Sequence, residues 1–199
     1  AEKEKVAKTA LAALISIRRE NADVIAKQLR AEIVDLGMEK GDIRFFIDES
    51  EELLPLGAKS IELLFTANKG EQLLPLHKVA SGGELARIAL ALKSVFRTDN
   101  HKPLVFDEID VGISGDIALK VAEKILALSK TNQVFCITHL PQTASIAKQH
   151  KQEQEGRTIS TLSELSEKER LSQIASMMSG KGMSHTALAA AQELIDHFH

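Results

Sequence analysis

Apolar and polar positions along the chain fall into two successive patterns. From residue 2 to about 36 there is no Pro or Gly, and Ala, Leu, Lys and Glu dominate, which favours helix. Ile15, Ala22, Leu29 and Leu36 recur every seven residues. The companion series Leu11, Arg18, Ile25 and Glu32 is apolar only at alternate positions. A seam with such gaps fits the base of a coiled coil or an amphipathic helix lying on a domain. The helix opens on charged residues, as a stretch cut from inside a longer chain would. Gly37 and Gly41 end it.

Ile43, Phe45 and Ile47 then alternate with Arg44, Phe46 and Asp48 and read as a strand. Residues 60–67 (Ser-Ile-Glu-Leu-Leu-Phe-Thr-Ala) read as another, with an acidic Pro/Gly-containing loop between them. Asn68-Lys69-Gly70 turns the chain, and Gln72 to Leu76 can pair back. With no helix between them, these strands are expected to be antiparallel.

After Gly83 the pattern changes. Leu85, Ile88, Ala89, Leu92 and Val95 have helical spacing, predicting a helix over 83–96. Leu104-Val105-Phe106 reads as a short buried strand. Ser114 is placed to cap a helix whose buried face is Ile117, Val121, Ile125 and Leu128. Residues 133–138 form a second short apolar strand, and Pro141 opens another helix. Strand, helix, strand predicts a parallel βαβ unit. Residues 150–162 read as a polar hairpin turning at Glu155-Gly156. Ser166 and Glu169 form a capping box before Leu171, Ile174, Ala175 and Met178. Gly180 ends that helix, and Ser184 starts the last one.

Composition narrows the class. The 199 residues are 44% hydrophobic and 27% charged, values of a globular protein. That length allows one domain with an appendage, or two small lobes. There is no Trp or Tyr, so platforms for stacking single-stranded bases are poorly supplied. A net charge of -3 argues against a dominant basic face for nucleic-acid phosphates. The single cysteine, Cys136, lies in the apolar run Val134-Phe135-Cys136-Ile137 and reads as a small buried hydrophobe that fits a reducing compartment. No apolar run approaches about 18 residues and no signal peptide is visible, so the expectation is a cytoplasmic protein with no membrane partner.

Three short segments carry chemistry. Asp107-Glu108 ends an apolar strand, which places two carboxylates at the carboxyl edge of a sheet, where open α/β sheets bind ligands. The first can hold Mg²⁺; the second can accept a proton from an attacking water. Ser81-Gly82-Gly83 precedes a helix. Two glycines let backbone N–H groups approach an anion, and the helix N-terminus and the hydroxyl add attraction. His139 follows the next strand, within reach of a terminal phosphate. Taken singly, each segment also reads as ordinary structure: an acidic loop, a capped helix, a surface histidine.

Their joint order is more specific. Roughly twenty residues separate the Ser-Gly-Gly turn from the Asp-Glu strand, and roughly thirty more lead to the histidine. This resembles the succession of signature motif, Walker B motif and switch histidine in ATP-binding-cassette (ABC) ATPases. The phosphate-cradling run Gly-x-x-x-x-Gly-Lys-[Ser/Thr], the Walker A motif, is absent; Gly180-Lys181-Gly182 lacks its spacing. The cradle is therefore expected from another polypeptide or from a preceding N-terminal portion. Such a divided head, its halves joined by a long coiled coil, resembles the SMC-like family. Within it, Ser-Gly-Gly-Glu-Leu-Ala-Arg at 81–87, Phe-Asp-Glu-Ile-Asp-Val-Gly-Ile-Ser-Gly at 106–115 and Ile-Thr-His-Leu-Pro-Gln at 137–142 are similar to the bacterial DNA-repair branch. Gly156-Arg157-Thr158 and the closing helices also fit. Ala80 stands where most ABC proteins have Leu, and Ile113-Ser114 where many SMC-like proteins have Leu-Asp.

The resemblance implies an α/β fold: the C-terminal lobe of an SMC-like ABC ATPase head (residues 41–199), with a parallel βαβ core, antiparallel strands and a leading helix (1–40) at the base of a coiled coil. It implies that Ser81, Gly82, Gly83 and Glu84 meet ATP held by the opposite head of a homodimer. It further implies that Asp107 supports Mg²⁺, that Glu108 polarises water, and that His139 senses the γ-phosphate. Asp110 to Ser114 match the D-loop at the dimer interface, with Asp110 and Ser114 near ATP. Implied partners are the Walker A-bearing N-terminal half and DNA, in the setting of double-strand-break repair and association with the nucleoid. The alternative is a non-hydrolysing dimerisation or adaptor module with the same fold.

Overall fold

The computed structural model describes all residues except 1, 51, 55–56, 80, 97–101, 108, 156–159 and 181–183, and only the backbone of 79, 152–155 and 160–161. The chain divides into two compact units, residues 1–97 and 98–199.

The first unit begins with α1 (Glu2–Asp35). Its seven-residue series points inward: Ile15, Leu29 and Leu36 are buried and Ala22 partly so, while Val6, Ile17 and Val24 remain exposed. α1 packs on β1 (Asp42–Asp48) and on α3 (Gly82–Phe96). The helix stops because Gly37 adopts φ 84°, a left-handed conformation open to glycine. The Met38 N–H then donates to the Ile33 carbonyl at 3.0 Å, the C-terminal closure expected of such a stop. Gly41 is needed for a different reason. A Cβ there would lie 3.0 Å from the Met38 carbonyl oxygen and 3.3 Å from Ile33.

β1 pairs antiparallel with β2 (Ser60–Thr66), and β2 with the two-residue β3 (Leu74–Pro75). A short helical turn, α2 (Leu76–Val79), was not foreseen from the pattern; four residues are too few to show a periodicity. Phe65, Ile43, Leu29, Ile33, Ile88 and Leu90 fill the core. Each such side chain contributes about 1.5–3 kcal/mol through burial.

In the second unit, β4 (Leu104–Asp107) runs parallel to β5 (Val134–Ile137), in register Leu104↔Val134 through Asp107↔Ile137. The crossover is α4 (Gly115–Ser129). Ala118, Val121, Ala122, Ile125 and Leu128 are its buried stripe, with Ile117 only partly covered. Ser114 occupies the N-cap position, yet its hydroxyl makes no capping bond; the expected cap is there in position and not in chemistry.

α5 (Pro141–Ser145) starts at Pro141 as expected. It is followed by the antiparallel pair β6 (Lys151–Glu155) and β7 (Ser160–Glu164), whose expected turn lies outside the described residues. α6 (Glu167–Ser179) begins with the capping box Ser166/Glu169 and ends at Gly180. α7 (His185–Phe198) begins at Ser184, whose hydroxyl accepts from the Ala187 N–H. Ile174, Ala175, Ala187 and Ala191 join these last two helices in a small core. Arg170 on α6 donates to the Ser145 carbonyl at 2.8 Å and ties α6 to α5.

One expectation for this unit changes. The strands read as buried, but only one face is covered. Phe106 is buried, whereas Val105, Phe135 and Ile137 are 66%, 51% and 61% exposed. Side chains alternate across a strand, so these three and Asp107 share the open face. The sequence registers that a face is apolar; it does not register whether these 199 residues supply its cover. Among the described residues, no helix is long and apolar enough to cross a membrane.

Candidate functional site

The site residues read from the sequence fall into both units, and each group has its own geometry. In the first unit, Ser81 stands immediately before α3. Its backbone N–H and its hydroxyl both donate to Glu84 Oε2 at 2.9 Å, and the Glu84 N–H points back to Ser81 Oγ at 3.4 Å. The Leu85 N–H donates to the Ser81 carbonyl at 2.8 Å, closing the first helical turn. This is a reciprocal cap that satisfies donors a helix start leaves unpaired. Ser81 and Gly82 are exposed and Gly83 is buried. An anion could therefore meet the exposed start of the helix at Gly82 and the positive end of its 15 residues, and the Ser81 hydroxyl once it turns from Glu84. Glu84 has a supporting place here: its carboxylate fixes Ser81, and its own charge would repel a phosphate. Ala80, the residue before the motif, lies outside the described residues.

In the second unit, two strand ends carry the chemistry. Asp107 closes β4, exposed and on the open face of the sheet. Glu108 follows it and lies outside the described residues. The chain then turns, and Asp110 is driven inward to 1% exposure beside the fully buried Ile109. The Thr138 hydroxyl, one residue past β5, donates to Asp110 Oδ2. The same hydroxyl oxygen accepts from the Leu140 N–H at 2.9 Å. His139 is exposed, with Nδ1 3.8 Å from Asp110 Oδ1. The loops after the two adjacent parallel strands are thus joined by Thr138, Asp110 and His139.

The sequence marked Asp110 and His139 but passed over Thr138, which read only as a spacer before the histidine. A hydroxyl just past one strand and a carboxylate just past its parallel neighbour was the available signal. Ile113 and Ser114 continue this loop, Ser114 exposed at the start of α4. The burial of Asp110 directs it to Thr138 and His139 instead of outward to a ligand.

Cys136 sits on β5 between these groups. Burial, with Asp110 and then Asp107 adding negative potential, pushes its thiol up to about 12. It is a neutral small side chain, half-buried on β5.

The described residues contain no cluster of three or more His, Cys, Asp or Glu side chains able to cage a metal ion. Asp107 is a single exposed carboxylate. That donor set fits a hard ion such as Mg²⁺, which keeps waters and is held mainly through nucleotide phosphates, and not a site built wholly of protein ligands.

Comparison with known proteins decides the family. No protein-family model matches the chain. DNA repair protein RecN of Deinococcus radiodurans is 42% identical over 187 residues, covering 92% of this chain and 33% of that protein. RecN of Haemophilus influenzae is 36% identical over 195 residues, 94% of this chain and 35% of that protein. RecN of Rickettsia bellii is 40% identical over 174 residues. The chain belongs to the RecN family. It corresponds to the C-terminal portion of RecN and spans at most about a third of the length of these relatives.

The fold agrees with that assignment. An Smc head domain with a coiled coil and joint from Pyrococcus yayanosii superposes with TM-score 0.60 at 22% identity, covering 82% of this chain and 30% of that one. A chain from a study of ATP-driven dimerisation and DNA-stimulated activation of SMC ATPases gives 0.51 at 17% identity, covering 84% of this chain and 99% of that one. At such identities the likeness is one of fold: this RecN portion is built as SMC ATPase heads are built.

Proposed function

We propose that this chain is the half of a RecN ATPase head that activates water and reaches across to a second head's nucleotide. The observation that carries the reading is the placement of Asp107 and His139 at the carboxyl ends of two adjacent parallel strands, with Glu108 next in sequence to Asp107. Support comes also from the absence of the Gly-x-x-x-x-Gly-Lys-[Ser/Thr] run, and from the open apolar face formed by Val105, Phe135 and Ile137. That face is what a two-stranded sheet presents when further strands and the cradle come from the N-terminal portion of the same protein.

In this reading two heads sandwich two ATP molecules. Ser81, Gly82 and Gly83 of one head contact the γ-phosphate held in the other, so the capped helix and the strand ends serve different nucleotides. Asp107 would hold Mg²⁺, and the ion, when bound, would neutralise phosphate charge. Glu108 accepts a proton from a water that attacks the γ-phosphorus. The bond from that phosphorus to the bridging oxygen breaks, leaving ADP and inorganic phosphate. His139 holds a γ-phosphate oxygen through Nε2. Phosphoryl transfer of this kind depends on positioning and charge neutralisation. Losing the γ-phosphate removes the contact from Ser81, and the heads part. The RecN relatives are named as DNA repair proteins, and in this reading the cycle serves that repair, with DNA engaged by the assembled protein at the nucleoid.

The test is Glu108→Gln in the intact protein. ATP turnover should fall by about 10²-fold or more, as loss of a general base does, while ATP-dependent association of heads persists. Turnover equal to the parent would overturn the role of Glu108. This chain without the cradle-bearing portion should show no turnover; hydrolysis by the purified chain would overturn the divided site.

A further inference from the structure

We infer that Asp110 is a positioning residue for His139, held in place by Thr138, so that the loops after the two parallel strands act as one unit. The inference rests on His139 meeting the nucleotide, as proposed above, and assigns what fixes that histidine.

Asp110 is 1% exposed, which is unusual for a carboxylate unless its oxygens are occupied. One is: Oδ2 takes the Thr138 hydroxyl. Oδ1 is equally buried and has no hydrogen-bond partner. The near group with a proton to give is the His139 ring, whose Nδ1 stands 3.8 Å away, outside a hydrogen bond and inside the range of an ion pair. The side chain of His139 is 68% exposed, so packing alone does not fix the ring.

A buried acceptor on one side of an imidazole sets which nitrogen faces inward and so which faces out. With Nδ1 turned to Asp110, Nε2 is the nitrogen presented to a ligand. Thr138 keeps the carboxylate from turning away, and its bond from the Leu140 N–H fixes the hydroxyl in turn. His139 lies between these two residues, Thr138 and Leu140, so the backbone that carries the ring and the carboxylate that aims it are restrained together. Asp110 touches no ligand in this account and acts only through His139.

The experiment is a double-mutant cycle in the intact protein. Asp110→Asn and Thr138→Val should each lower kcat for ATP by about tenfold to a hundredfold with little change in KM, because a misaimed contact acts in the transition state. Thr138→Ser should restore the rate. In a His139→Ala background, Asp110→Asn should cost nothing more. Selective ¹⁵N labelling of histidine adds a readout free of turnover: the His139 Nδ1 resonance should move in Asp110→Asn and stay in Thr138→Ser. An additive loss in the His139→Ala background, or an unmoved Nδ1 resonance, would overturn the inference while leaving the role of His139 standing. Full turnover in His139→Ala with a moved resonance would instead overturn the role of His139, and with it any effect of Asp110 on rate.

Discussion

Cys136 shows how a side chain's surroundings govern its chemistry. A thiol at its ordinary pKa is partly thiolate at mildly alkaline pH, and the thiolate is the reactive form. Here burial and two carboxylates push the pKa up to about 12 from 9.0. At pH 8 the folded chain should therefore react with a disulfide reagent about a hundredfold or more slowly than the urea-unfolded chain. Equal rates would mean that the Cys136 thiol is not shielded from solvent on this strand. The apolar run Val134 to Ile137 already suggested an inert thiol. Nothing local suggested the carboxylates, because their nearness depends on how the loop after β4 folds back. Asp110 makes the same point: its sequence neighbours read as a loop, yet the side chain is more deeply buried than most of the apolar residues around it.

Among the helices, position and bonding come apart. Ser114 and Ser184 both occupy N-cap positions with extended backbone, but only the Ser184 hydroxyl accepts a helical N–H, from Ala187 at 3.1 Å. A capping serine is worth about 1 kcal/mol against alanine. Ser184→Ala should therefore destabilise the second unit by about 1 kcal/mol in urea unfolding followed by circular dichroism. Ser114→Ala should stay within about 0.5 kcal/mol, the usual range for an exposed substitution. Equal losses would show that the α4 start is capped after all. Helices and strands were largely legible from spacing, since their faces repeat within a few residues. The four-residue α2 was not, and neither was the absence of a bond at Ser114, which depends on a rotamer.

At the level of the chain as a body, the open face of β4 and β5 is the telling feature. Three large apolar side chains more than half exposed on one small sheet make a patch of the kind that marks an interaction surface. The purified chain should bind an apolar fluorescent dye and self-associate with rising concentration, and both effects should fall when the N-terminal portion of RecN is co-expressed. Ile137→Asp should abolish the association and block pairing with that portion. A chain that stays monomeric and dark with the dye would show that this face needs no cover. The leading helix presents a smaller version of the same question, since Val6, Ile17 and Val24 lie exposed on α1, and the related Smc head domain is described with a coiled coil.

The order of amino acids alone settles the elements apart from α2, the antiparallel and parallel pairings, and the presence of a Ser-Gly-Gly turn, an Asp-Glu strand end and a Thr-His strand end in that succession. These rest on short-range rules: the period of a helix, the alternation of a strand, the residues a turn or cap requires. Folding decides the rest. It buries Asp110 between two loops, against a threonine 28 residues away in sequence, and leaves Val105, Phe135 and Ile137 uncovered. A side chain's partners and its access to water depend on contacts distant in sequence, and no periodicity encodes those.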